Sequence, residues 1–193
     1  MDYSIVKLNL KKELSALSSL VERTTLTRYN DIFSIDAIKL QTHSNETVKE
    51  NIRDFFKSFE QPVIYTFELK GCDDFTILNK AFNKAKNTNH EGRAYSKFND
   101  NFPKNEITLY VGSSKGENLT ARMINHFGVG SKSVYSMHLK AWLPKDYNYK
   151  IQVSLFTPMI PNHNLSFFKV LEVIEQGFWN YQRPLFGKQS GLL

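Results

Sequence analysis

The chain has a single cysteine, Cys72, among its 193 residues. One thiol cannot form a disulfide or a thiolate metal cage within the chain, so a disulfide-stapled secreted scaffold is excluded and a reducing compartment fits. Cys72 reads as a bystander in a loop. No stretch of about eighteen apolar residues exists, which leaves no candidate for a membrane-spanning helix. The N-terminus, Met1-Asp2-Tyr3-Ser4, lacks a basic region followed by an apolar run, so a signal peptide is not expected and a cytoplasmic location is. Internal repeats and low-complexity tracts are missing too. His90, His138 and His163 have none of the helical or paired spacing typical of zinc sites.

What is there suits a folded domain. Apolar residues make up 41% of the chain and include 15 Phe, enough to bury a substantial core. The net charge of +6 is uneven. Residues 1–61 hold nine Lys/Arg and nine Asp/Glu, so the whole excess lies in residues 62–193, which hold the other sixteen basic and ten acidic residues. A basic bias of this kind suits a polyanionic partner, because counterion release drives binding to phosphate backbones.

Residues 3–23 carry Ile5, Leu8, Leu14, Leu17 and Val21 at roughly helical spacing. The segment 31–41 alternates loosely and reads as either helix or strand. Ser44-Asn45-Glu46-Thr47 is a helix start, with Ser44 or Asn45 as cap, and the helix runs to about Phe59. Pro62 closes this neutral, mainly helical first third. Residues 63–69 alternate and are rich in β-formers, predicting a strand. A helix over 73–87, a polar irregular stretch over 88–105 and a strand over 107–112 follow. A helix opens at Asn118-Leu119-Thr120 and stops at Gly128 and Gly130. A short helix over 133–142, a strand over 149–156 and a helix over 166–181 complete the pattern. Strands and helices mix without regular βαβ alternation. The expectation is an α+β type of α/β fold, with a small, mostly antiparallel three-stranded sheet flanked by helices. Residues 1–61 would form a helical extension and 71–105 a helical insertion in the domain 62–193.

Several residues suggest chemistry. Tyr65 and Tyr110 close two strand phrases, Val63-Ile64-Tyr65 and Leu109-Tyr110-Val111-Gly112-Ser113. Alone, two strand tyrosines are ordinary packed residues with satisfied hydroxyls. Their company changes that reading. Arg122 and His126 are four apart and share a helix face. A guanidinium meets two phosphate oxygens and never deprotonates, and an imidazole can bind phosphate or relay a proton. Glu175 flanks the apolar face of the last helix, and a single carboxylate suits Mg²⁺ or Mn²⁺, which keep most of their waters. Glu172 competes for that role. Gly112 allows close backbone approach. Lys115 is a phosphate contact or a solvated charge. Residues 80–104 interleave basic residues, including Arg93 and Lys97, with aromatics, and either grip a nucleic-acid backbone or form a solvated helix with its aromatics inward.

In order and context these residues resemble the GIY-YIG endonuclease superfamily over residues 63–187. Val63-Ile64-Tyr65 and Tyr110-Val111-Gly112 stand for the two half-motifs. The helix from Leu119 to Phe127 carries Arg-x3-His, and Glu175 is followed by Pro184 nine residues on. The resemblance implies a metal-dependent endonuclease, acting on DNA in preference to RNA, of restriction type or of a repair or mobile-element type. Homodimerisation would serve double-strand cleavage. It implies Tyr65 as general base toward water, Tyr110 as the group positioning water and phosphate, Arg122 and His126 as phosphate ligands and Glu175 as metal ligand. Gly112, Lys115, Lys97 and Arg93 would contact substrate. The chain departs from the pattern at Val63, in the 44 residues between the tyrosines, and at Gly187, where an Asn often stands. Asn180 or Gln189 is a candidate replacement. The alternative is a non-catalytic nucleic-acid-binding protein retaining the fold.

Overall fold

The computed structural model describes residues 3–72, 74–89, 91–99, 107–161 and 167–188. The elements in order are α1 (Tyr3–Arg23), β1 (Thr25–Arg28), β2 (Phe33–Asp36), α2 (Ala37–Thr42), α3 (Asn45–Phe56), β3 (Val63–Lys70), α4 (Phe75–Asn87), β4 (Ile107–Ser114), α5 (Leu119–Phe127), α6 (Leu139–Trp142), β5 (Lys150–Met159) and α7 (Phe167–Gln182). Among the described residues no helix is long and apolar enough to cross a membrane.

The strands form one antiparallel sheet in the order β1-β5-β3-β4, with β2 also paired to β5. The expected three-stranded sheet is therefore corrected to five strands. The two extra strands lie in the stretch expected to be mainly helical. Each is only four residues long, and β1 is exposed throughout, so neither spans enough positions for a two-residue period to register. What fixes them is the length of β5. Its ten residues pair with β2 through Lys150–Val153 and with β1 through Phe156–Met159. The ambiguous segment 31–41 is strand and then helix.

β3 is buried on both faces. Val63, Tyr65, Phe67 and Leu69 point into the larger core with α2 to α6. Ile64 points the other way, into a smaller core with Val111 of β4, Leu20 of α1 and Val170, Leu171 and Ile174 of α7. Helices thus cover both faces, and the sheet positions two independent layers of side chains around its edge strand, β4.

A bulge in the β3–β4 ladder decides which side chains reach which layer. The register runs Tyr65↔Gly112, Thr66↔Val111 and Phe67↔Tyr110, then skips to Glu68↔Thr108. The extra residue, Leu109, joins Tyr110 on the side of the larger core, as two-against-one pairing permits.

The described part of the segment 71–105 belongs to this core. Phe82 of α4 and Phe98 stack at 5.0 Å, and both meet Phe186. Tyr95 bridges to Ser136, with Ser136 N–H donating to the Ala94 carbonyl and Ser96 N–H to that of Ser136. This pairing uses the backbone that a helix over 133–142 would need, so helix appears only from Leu139. His138, at φ 49°, marks the break.

Candidate active site

β4 ends the strand order, and the described residues occupy only half of its outer side. Leu185 and Phe186 donate N–H bonds to the carbonyls of Thr108 and Leu109, and Phe186 bridges to Tyr110. Beside the remaining half lies a cleft of about 350 Å³, lined by Tyr110, Gly112, Ser113, Lys115, Arg122, Phe168, Glu172 and Glu175 among others. Tyr110 and Arg122 reach it from the side of the larger core. Glu175 reaches it from α7, on the opposite layer. Six of the residues singled out in the sequence (Tyr110, Gly112, Lys115, Arg122, Glu172 and Glu175) therefore share one surface.

Tyr65 and His126 lie directly behind. The Tyr65 ring stacks on Tyr110 at 6.1 Å and 16°, a diagonal contact, because the register partner of Tyr65 is Gly112. His126 packs at 4.3 Å from Tyr110 and 5.3 Å from Phe67. Its Nε2 is 3.4 Å from the Tyr65 hydroxyl.

Gly112 has a reason that its motif position did not reveal. A Cβ there would fall 2.6 Å from the Tyr65 Oη and 2.7 Å from the Tyr110 Cε1. Only a residue without a side chain lets both rings lie over the strand.

Electrostatics divide the set. Burial pushes the Tyr65 phenol well above its ordinary pKa, Tyr110 adds to the rise, and the Arg122 guanidinium opposes it by charge and side-chain hydrogen bonding. Its ring has no exposed surface. A phenol that is enclosed and held protonated is a poor base, which counts against the role the resemblance implies for Tyr65. Tyr110 is also raised, by burial first and then by Glu175, but it borders the cleft.

His126 is pushed down to about 3 by burial, the Arg122 charge and His138. Its Nδ1 is buried without a partner. Burial favours the neutral ring, which packs under the two tyrosines within hydrogen-bond reach of Tyr65.

Arg122 stays charged. Burial opposes its charge, but Tyr65, Tyr110 and Glu175 outweigh that and raise its pKa. Glu175 is raised by burial and by Glu172, against the pull of the Ser113 hydroxyl and Arg122. Ser113 donates to Glu175 Oε2 at 2.5 Å. These contacts separate Glu175 from Glu172, which is exposed. Sequence reading passed over Ser113. Its signal was the alternation of β4, which sends Ser113 to the α7 side while Gly112 faces the tyrosines.

Among the described residues no group of three or more His, Cys, Asp or Glu clusters as a metal site. The donor set at Glu175 is one carboxylate, with Oε2 steadied by Ser113. Glu175 would suit Mg²⁺ or Mn²⁺, which bind through few protein oxygens, and a single carboxylate would not suit a structural zinc.

Other expected residues lie elsewhere. Arg93 lines a different cavity and pairs with Glu91 at 2.6 Å. The Lys97 side chain is exposed, while its carbonyl accepts from Gly187 N–H at 2.9 Å. Gly187, at φ 107°, lies against Tyr110, where a Cβ would come within 3.2 Å of the ring, so an Asn there would be strained. The Asn180 Oδ1 accepts from Gln176 at 2.9 Å. The amide that binds this turn is Asn99, donating to the carbonyls of Pro184 (3.0 Å) and Gly187 (3.2 Å), and no local pattern links it to them. His90, Phe102, Lys104, His163 and Gln189 lie outside the described residues. Comparison with family models, curated proteins and solved structures gives no match, so the functional reading rests on the side chains themselves.

Proposed function

We propose that this protein is a metal-dependent phosphodiesterase of the GIY-YIG type, an endonuclease acting on DNA in preference to RNA. One observation carries the reading: Arg122, Tyr110 and a Ser113-braced Glu175, brought from three elements and two layers, face a single cleft. A guanidinium, a phenol and a carboxylate within one cleft match what phosphodiester hydrolysis requires. The basic excess of residues 62–193 supports a polyanionic substrate.

In this reading Arg122 binds the scissile phosphate and stabilises the charge that grows on it in the pentavalent transition state. Tyr110 orients the phosphate and the attacking water with its hydroxyl. Tyr65 and His126 hold the Tyr110 ring in place, and Tyr65 also steadies Arg122. Glu175 holds the metal. When bound, Mg²⁺ or Mn²⁺ supplies Lewis-acid stabilisation of the leaving oxygen. An intracellular setting and a homodimer cutting both strands belong to the same proposal.

A second reading is favoured by the enclosure of Tyr65: a protein that binds nucleic acid through the cleft without cutting it. A plasmid-nicking assay with Mg²⁺ or Mn²⁺ separates the two. The endonuclease reading expects cleavage by the wild type and none by Glu175→Ala. Equal activity of both proteins removes the proposed site, and salt-sensitive binding without cleavage selects the second reading.

A further inference from the structure

Phe168 lies at the start of α7 and lines the same cleft as Arg122, yet keeps 43% of its surface exposed. A large apolar ring left open beside a polar cleft contributes little to the core. Above it, 3.8 Å from the ring centroid, sits the Lys115 ammonium. Lys115 lines the same cleft, so this cation–π contact stands at the border of the cleft itself.

We propose that the Phe168 ring is a stacking platform for an unpaired nucleobase next to the scissile phosphate, and that Lys115 covers it until the base arrives. The proposal rests on the phosphodiesterase reading of the cleft and adds a substrate class to it. In a duplex both faces of a base are already stacked on its neighbours. A base that lies on Phe168 must come from a single strand or a bulge, where a face is free to stack. The same event frees Lys115, whose ammonium then has a phosphate within the cleft to pair with. The ring and the ammonium thus read two parts of one nucleotide: stacking accepts any base, and the charge follows the backbone.

The test uses the full chain in chelator, so that nothing is cut, with three probes carrying 2-aminopurine: a single strand, a perfect duplex and a duplex with the 2-aminopurine unpaired. The expected result is fluorescence quenching and tighter binding for the single-stranded and bulged probes. Phe168→Ala should weaken those two about tenfold and leave duplex binding unchanged, and Phe168→Trp should restore both binding and quenching. Lys115→Ala should reduce the salt dependence of binding by about one phosphate contact, which Phe168→Ala should not do. Equal binding of all three probes by the wild type overturns the proposal, as does a Phe168→Ala protein that binds and quenches like the wild type. The two readings fail separately. Phe168-dependent quenching without cleavage in Mg²⁺ or Mn²⁺ removes the hydrolase and keeps the platform. Cleavage that ignores Phe168 removes the platform and keeps the hydrolase.

Discussion

Tyr65 and Gly112 are register partners across the β3–β4 ladder, and the Tyr65 hydroxyl occupies the space a Cβ on Gly112 would need. The glycine is a vacancy shaped by two rings. Gly112→Ala must push both tyrosines, which overpacks a full core at a cost of about 1–3 kcal/mol. A lower urea midpoint together with loss of cleavage is expected. An unchanged midpoint would mean that the rings do not lie over the strand.

The two tyrosines should not be equivalent. Tyr110 borders the cleft and Tyr65 is sealed behind it. Tyr110→Phe is expected to lower kcat by about a hundredfold or more, the range of a hydroxyl used at the reacting centre. Tyr65→Phe should cost less than about tenfold in kcat, because its hydroxyl bonds only to His126 and Arg122 behind the cleft, and losing such bonds has a modest effect. The reverse order in single-turnover rates would restore Tyr65 as the base.

Arg122 should resist conservative replacement. Its fork is asked to reach phosphate oxygens while facing Tyr65 and Glu175, and an ammonium offers one charge without the planar geometry. Arg122→Ala and Arg122→Lys are both expected to lose about 10²–10³ in kcat. Full activity of the Lys variant would reduce Arg122 to a simple charge.

Activity should fall on the acid side earlier than an exposed carboxylate would dictate. Glu175 must be ionised to hold a metal, and burial raises its pKa. The Ser113 hydrogen bond works the other way, favouring the ionised form. Ser113→Ala therefore moves the acid limb of the kcat/KM profile to higher pH and raises the metal concentration needed for half-maximal rate. A superimposable profile would show that Ser113 does not support the carboxylate.

His126 ties stability to pH. Its ring titrates near 6.5 in an unfolded chain and at about 3 in the folded one, so the unfolded state binds more protons between those values. The contribution is complete above pH 6.5 and is lost as pH falls toward 3, by about 2 kcal/mol at pH 5. His126→Gln should flatten this part of the urea-midpoint profile between pH 7.5 and 5.0.

The longer elements were legible because their periods run over enough residues: β3, α3, α4, α5 and α7 all stand close to their expected limits. β1 and β2 were not, since a four-residue strand leaves almost no pattern and depends on a partner more than a hundred residues away. At the site, Arg122, Tyr110 and Glu175 could be named from spacing and resemblance. The hidden parts were environmental. Nothing in the order of residues announces that His126 is neutral, that Tyr65 is sealed, or that Asn99 secures the turn at Gly187.

The way the 185–187 segment lies along β4 has a consequence for synthesis. A nascent chain stopped at about residue 160 already contains Tyr65, Tyr110 and Arg122, but neither the carboxylate of Glu175 nor the segment that lines the other half of the strand. The wall of the cleft that Phe168, Leu171, Glu172 and Glu175 supply comes from α7, beyond that point in the chain. On the reading proposed above, an intermediate of that length would carry the arginine and the tyrosines without the carboxylate that the proposed reaction needs.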